Sequence, residues 1–472
     1  MRRVWRDDSD VYILATQTIM LIQARIVATV SAIAIIAACH SAPPPPPPAP
    51  VPLSDSAASA VRWVDAHAAP FAPADSVASA GERHSIIALA GDARIIGFSE
   101  LNEGTHEFPY VVRRALFTLA DSVGVRGLAI QAPMAETMEL DRYVRTGVGD
   151  PKRIARTLAS WRWETLEMLG LVNAIRERNR SVSADKQIGF YGFEIPTAAH
   201  AVQVVTALPD SITGPALGGW IRREYGCVAA NEGAHWGLEG RASDSTFWQR
   251  CGPITAAGAD SLTALRRRLS ASSRAASDVA FAEQMARLIA HYVSLSLRRL
   301  PRQEVVAQHV LYLDSLLGPN AKLVMWGGDV EVGRLTLLPS TVQSGLVLGT
   351  KLGALYRPIA FAIGDGILRA QRPAQGRTTD GSGLSGVRDV PIRPAAADTY
   401  EDVFRRASPE AYWLDMRPLA SDSGAWLRGP HQGRLVTEVY APEAPQLFMT
   451  PLEFPKFFDA VVFIRHITPA HQ

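Results

Sequence analysis

Residues 94–130 read RIIGFSELNEGTHEFPYVVRRALFTLADSVGVRGLAI, and this stretch decides the fold class. RIIGF at 94–98 is a short apolar run of strand length. From 107 to 123, Phe108, Val111, Val112, Leu116, Leu119 and Val123 recur at helical spacing, and Gly124 stops the helix. Pro109 suits such a helix only in its first turn, where no intrahelical donor is lost. A second strand is expected at Gly127–Ile130. Strand, helix and strand in quick succession is the unit of a parallel sheet.

The same alternation continues outward. Ile188–Phe193 and Lys322–Trp326 read as further strands, with Ile359–Ile363, Leu435–Val439 and Ala460–Ile464 as later candidates. The helix before Lys322 puts Val306, Val310, Leu313 and Leu317 on one face and ends at Gly318-Pro319. Upstream, AASAVRWVDAHAAPF (57–71) is amphipathic. The expected class is α/β, with a largely parallel central sheet flanked by helices. Residues from about 200 to 300, rich in Ala, Arg, Leu and Ser, read as a helical insertion or lid. The stretch 371–398, heavy in Gly, Pro, Ser and Arg, reads as an exposed loop.

The first 54 residues have another character. RIVATVSAIAIIAA (25–38) is an apolar run of signal-peptide length behind a basic residue, and Cys39 follows at once. Ile36-Ala37-Ala38-Cys39 resembles a bacterial lipobox, in which the Cys is acylated and becomes the first residue. Residues 1–38 are therefore expected to be a signal peptide; Met20 offers an alternative start that would leave residues 1–19 untranslated. SAPPPPPPAPVP then forms a stiff spacer, so that 39–54 is a lipidated Cys and linker and 55–472 the folded domain. An exported lipoprotein on the periplasmic side of the envelope is implied, at the outer membrane because His40 lacks the acidic character linked with inner-membrane retention.

The 472 residues are 47% hydrophobic and 20% charged with a formal net charge of +2, which suits a large core and gives no footprint for nucleic acid. With Cys39 lipidated, Cys227 and Cys251 are the two remaining cysteines, and an oxidising compartment favours their pairing. No GxSxG elbow lies on a strand-to-helix turn, and no HExxH or CxxC occurs, so neither a serine triad nor a recognisable zinc motif is signalled.

Ligands of open α/β sheets bind outside the carboxyl ends of the strands. The first strand delivers Glu100 and Glu103 there, the second Gln131, the third Glu194, the fourth Asp329 and Glu331. Gly327 and Gly328 permit close backbone approach. His106, one helical turn past Glu103, is either a base or a surface residue. These residues are the candidate site: Glu100, Glu103, Gln131, Asp329 and Glu331 for chemistry, and His106, Glu194, Gly327 and Gly328 for contact with a small-molecule ligand or ester substrate.

The segments that carry these residues resemble the erythromycin esterase family from about residue 58 to the C-terminus. IIGFSELNEGTHEF is similar to the family's opening strand and Gly-Glu-x-x-His-Gly-x-x-Glu-Phe motif. DRYVRTGVGDP, WRWETLEMLGLVNAIRERN and IGFYGFEIP resemble its next blocks, and Arg302 and Ala307 lie in a degraded Arg-Asp-x-x-Met-Ala-x-Asn helix. KLVMWGGDVEV resembles the strand ending in Trp-x-His-Asn-x-His, and LGTKLGALYRPIAFAIGDG and FDAVVFIRHITPA the last blocks. The resemblance implies an α/β hydrolytic fold acting on macrolide lactones with a water-activating His and no metal or cofactor.

On that pattern Glu100 keeps the motif Glu, while Glu103 stands where the water-activating His belongs. Gln131 replaces a Glu, Gly328, Asp329 and Glu331 replace His, Asn and His, and Gln303 and His309 replace Asp and Asn. Two expectations follow: a lipoprotein with the family fold and a degenerate site that binds a ligand without turnover, or a carboxylic ester hydrolase linked to antibiotic response with Glu103 as general base and Glu100 orienting the water. A carboxylate can act so only where burial or like charge raises its pKa. The same acids would also offer oxygen ligands to a cation.

Overall fold

The computed structural model describes residues 52–73, 77–100, 103–158, 160–229, 245–270, 273–296, 300–334, 342–373, 384–419 and 424–472. Its strands are β1 (Ala69–Pro70), β2 (Ile95–Glu100), β3 (Val125–Pro133), β4 (Gly189–Glu194), β5 (Lys322–Gly327), β6 (Tyr356–Ala370), β7 (Arg388–Ile392), β8 (Ala411–Asp415), β9 (His431–Arg434), β10 (Met449–Leu452) and β11 (Ala460–Ile467). The main sheet runs β1-β8-β11-β6-β2-β5-β3-β4, with β7 added to β6. All pairings from β11 to β4 are parallel, while β1, β7 and β8 join antiparallel. The largely parallel α/β sheet is therefore as expected.

Alternation along the central strands divides the core. Ile96, Phe98, Leu128, Ile130, Val324 and Trp326 face one apolar cluster, with the helices Glu107–Ser122 and Leu166–Arg180 packed over it. Ile95, Ala129, Leu323 and Met325 face the other, shared with the helix Arg302–Leu317 and the inserted helices. Strands covered on both faces are apolar at successive positions, which is why they read as continuous runs. The described part of the segment from 200 to 300 is helices joined by short connections, with Ser245–Arg266 packed along Arg274–Ser296.

Two local expectations are corrected. The Gly/Pro/Ser/Arg-rich stretch 371–398 contains β7, whose backbone pairs with the far half of β6 from Gly366 to Ala370. Its burial alternates, with Val390 and Ile392 buried beside exposed neighbours, so no continuous apolar run marks it. The strand expected at Leu435–Val439 lies upstream at His431–Arg434, paired with β10, and Val439 makes an isolated bridge to Gln371. Residues 1–51, Cys39 included, lie outside the described residues, as does the side chain of Cys227; Cys251 is fully buried.

Candidate active-site cleft

The carboxyl ends of β2, β3, β4 and β5 bring the expected residues to one place. Glu100 closes β2, and the Glu103 N–H donates to the Val436 carbonyl (3.1 Å). Gly104 has φ +79, and an added Cβ would stand 2.0 Å from the Arg369 carbonyl oxygen, so only glycine fits there. Gln131 and Glu194 come from β3 and β4, and Asp329 and Glu331 from the short helix Asp329–Val332 after β5. All five acids are buried, between 4% and 8% exposed.

Two arginines organise them. Arg162, in the 3-10 turn Trp161–Glu164, donates to Glu103 Oε1 at 2.5 Å and stands 3.3 Å from Glu438. Its guanidinium lies over the Trp163 ring, whose indole N–H donates to the Gln131 carbonyl at 3.1 Å. Arg302 pairs with Glu194 and, at 3.3 Å, with Glu331, which also accepts from Gln303 at 3.2 Å. Gln131 Oε1 accepts the Gly328 N–H at 2.9 Å, tying β3 to the turn after β5. A Cβ at Gly328 would come within 2.9 Å of Glu331 Oε2, so the glycine leaves room for that acid. Glu103 Oε2 is buried and has no hydrogen-bond partner.

Five buried carboxyl groups, with the more exposed Glu438 beside them, outnumber the two guanidiniums, and like charges so close resist joint ionisation. Burial pushes Glu100 up to about 7, opposed by Arg162. It carries Glu103 well above the carboxylate range against the same arginine, with Glu100, Glu438 and Asp329 adding to the rise. Burial lifts Glu194 to about 6 despite Arg302, and Asp329 to about 6 with help from Glu331. The cleft thus retains protons at neutral pH.

Beside this cluster lies a cavity of about 440 Å³. Its polar wall is Gln131, Ser160, Arg162, Glu194, Arg302 and Glu438; Leu158, Ile195, Val306 and Leu295 of the inserted helix Arg274–Ser296 supply apolar surface. Glu100 faces a separate small void under Gly104 and Trp326. His106 stands apart from the acids, its Nδ1 2.6 Å from Glu167. Arg162 and Glu438 carried no signal in the sequence beyond a Trp-Arg-Trp triplet, because their partners are distant in the chain.

A largely parallel sheet with titratable groups gathered at its strand ends defines an α/β protein of hydrolase-like fold. The erythromycin esterase family model matches residues 121–467, and the chain belongs to that family. Three solved structures share the fold. A Bacillus cereus protein superposes with a TM-score of 0.74 at 19% identity, covering 88% of this chain and 99% of its own. A succinoglycan biosynthesis protein gives 0.73 at 15%, covering 88% and 98%. The erythromycin esterase EreC, a His-to-Asn variant in its open conformation, gives 0.63 at 14%, covering 85% and 98%.

Proposed function

We propose that the chain is a ligand-binding member of the family whose degenerate cleft holds a small amphiphilic molecule without turning it over. One observation carries this reading: Glu100, Glu103, Asp329 and Glu331 are absent from the cavity wall, where the acids are Glu194 and Glu438 and no imidazole is present among the described residues. Paired guanidinium and carboxylate groups beside an aliphatic surface suit hydroxyl and carbonyl groups on an apolar frame. The cleft residues themselves call for no metal or cofactor in this reading.

A second reading, ester hydrolysis, has its own support in the staggered carboxyls. Burial raises Glu103 well above its ordinary value and Glu100 to about 7, so Glu100 is assigned as the base and Glu103 as the acid in this reading. Glu100 would take a proton from water as its oxygen attacks the ester carbonyl, and Glu103 would give its proton to the departing alkoxide. The purified full chain and its Glu100→Gln and Glu103→Gln variants, incubated with aryl esters and macrolides, separate the two. Thermal stabilisation by a panel member without product supports binding. Turnover that Glu100→Gln abolishes overturns it.

We further propose that the protein is an exported lipoprotein held on the outer membrane through Cys39, with Cys227 and Cys251 paired. The apolar run, the lipobox-like tetrapeptide and the proline spacer support this. Palmitate labelling should vanish in Cys39→Ser, and unreduced peptide mass spectrometry should show the linked cysteines.

A further inference from the structure

Outside the cleft, Glu167 gathers two imidazoles. Its Oε1 lies 2.6 Å from His106 Nδ1 and 2.6 Å from His471 Nδ1, and both its oxygens accept the His471 N–H at 3.1 Å. The carboxylate side chain is 1% exposed, whereas His106 and His471 are 28% and 57% exposed. Among the described residues this is the one set of three His, Cys, Asp or Glu side chains whose ligand atoms all lie within 4.8 Å of one another.

The geometry points to a divalent transition-metal site formed by His106 Nδ1, His471 Nδ1 and Glu167 Oε1. Two imidazoles and a carboxylate are the donors that zinc and its neighbours take. Ligand atoms around a tetrahedral zinc stand about 3.3 Å apart, so the 2.6 Å contacts to Glu167 would open as the exposed His471 ring exchanges its hydrogen bond for coordination. Each neutral imidazole then carries its ring proton on Nε2 and offers the Nδ1 lone pair to the ion, and water completes the shell on the open side. This assignment rests on neither reading of the cleft.

The three ligands sit on separate segments: the start of helix Glu107–Ser122, the first turn of helix Leu166–Arg180 and the C-terminal strap. That strap already touches the turn after Glu103, with Ala470 N–H on the Gly104 carbonyl (3.1 Å) and His106 N–H on that of Thr468 (2.9 Å). Gly104, Thr105, Thr165 and Ala470 also line the void that Glu100 faces. A bound ion would therefore clamp the wall behind Glu100.

Zinc(II) titrated into the chelator-stripped full chain tests the site. A single zinc ion per chain is expected, with a rise in melting temperature. His106→Ala and His471→Gln should each weaken uptake by at least about tenfold and abolish that rise, with circular dichroism unchanged. The His84→Ala and Glu103→Gln variants should bind as the wild type does. Failure of the wild type to take up zinc overturns the assignment. So does uptake that survives both histidine variants, or that disappears in Glu103→Gln, which would place the ion in the cleft.

Discussion

The Arg114–Glu82 pair beneath the antiparallel end of the sheet and the Arg162–Glu103 pair in the cleft are both buried guanidinium–carboxylate contacts, at 3.1 and 2.5 Å. Their surroundings differ. Glu82 also receives the Trp413 indole N–H at 3.4 Å, and Arg114 lies over the Phe71 ring, so one base meets one acid among aromatic groups. Around Arg162 the acids outnumber the bases, Glu103 keeps one oxygen without a partner, and protons make up the balance. A charge-balanced buried pair is structural. An excess of buried acid is maintained against stability and marks a site.

Breaking the balanced pair should have the largest effect. Arg114→Ala strands Glu82 as an uncompensated buried charge and should cost about 3–5 kcal/mol in denaturant unfolding. The next effect is that of pH. Glu100, Glu194 and Asp329 have folded values of about 7, 6 and 6 against ordinary values of 4.5, 4.5 and 3.8, so the folded protein keeps protons that the unfolded chain releases. Their stabilisation is fully present below about pH 4 and is lost as pH rises through about 6 to 7. Glu100 alone accounts for about 3 kcal/mol, and unfolding midpoints of Glu100→Gln should show a correspondingly flatter pH profile. A wild-type profile flat from pH 4 to pH 8 would refute the proton excess.

Arg162→Ala should cost less than Arg114→Ala, about 1–3 kcal/mol, because burial already shifts Glu103 toward its neutral form. Equal losses at the two arginines would dissolve the distinction. Smallest should be Arg302→Ala, whose side chain is 45% exposed; it should cost below about 1 kcal/mol while still weakening any ligand bound in the cavity.

The central strands were legible because burial on both faces makes successive positions apolar, and Glu107–Ser122 because its buried face repeats with the helical turn. The acids were legible through a topological rule: residues just past parallel strands share an edge of the sheet. Their counter-charges were not. Arg162 comes from an isolated turn, Arg302 from a helix start, and neither spacing nor polarity names a partner many residues away. His106 illustrates the same limit, since its proximity to Glu103 in sequence suggested the cleft while its ring meets residues 167 and 471. β7 escaped notice because it is an edge strand with little buried surface, held by backbone bonds that any composition can make.

The pairing of β2 with β5 sets Ile95 opposite Leu323. Closing so long a loop is entropically slow, so this sheet should form late in folding, after the local strand–helix units have collapsed. Glu100 and Glu103 arrive on one side of that seam and Asp329 and Glu331 on the other. Their mutual repulsion is then met only at the final zippering step, and refolding should quicken in mildly acidic solution, where protons have already quenched it.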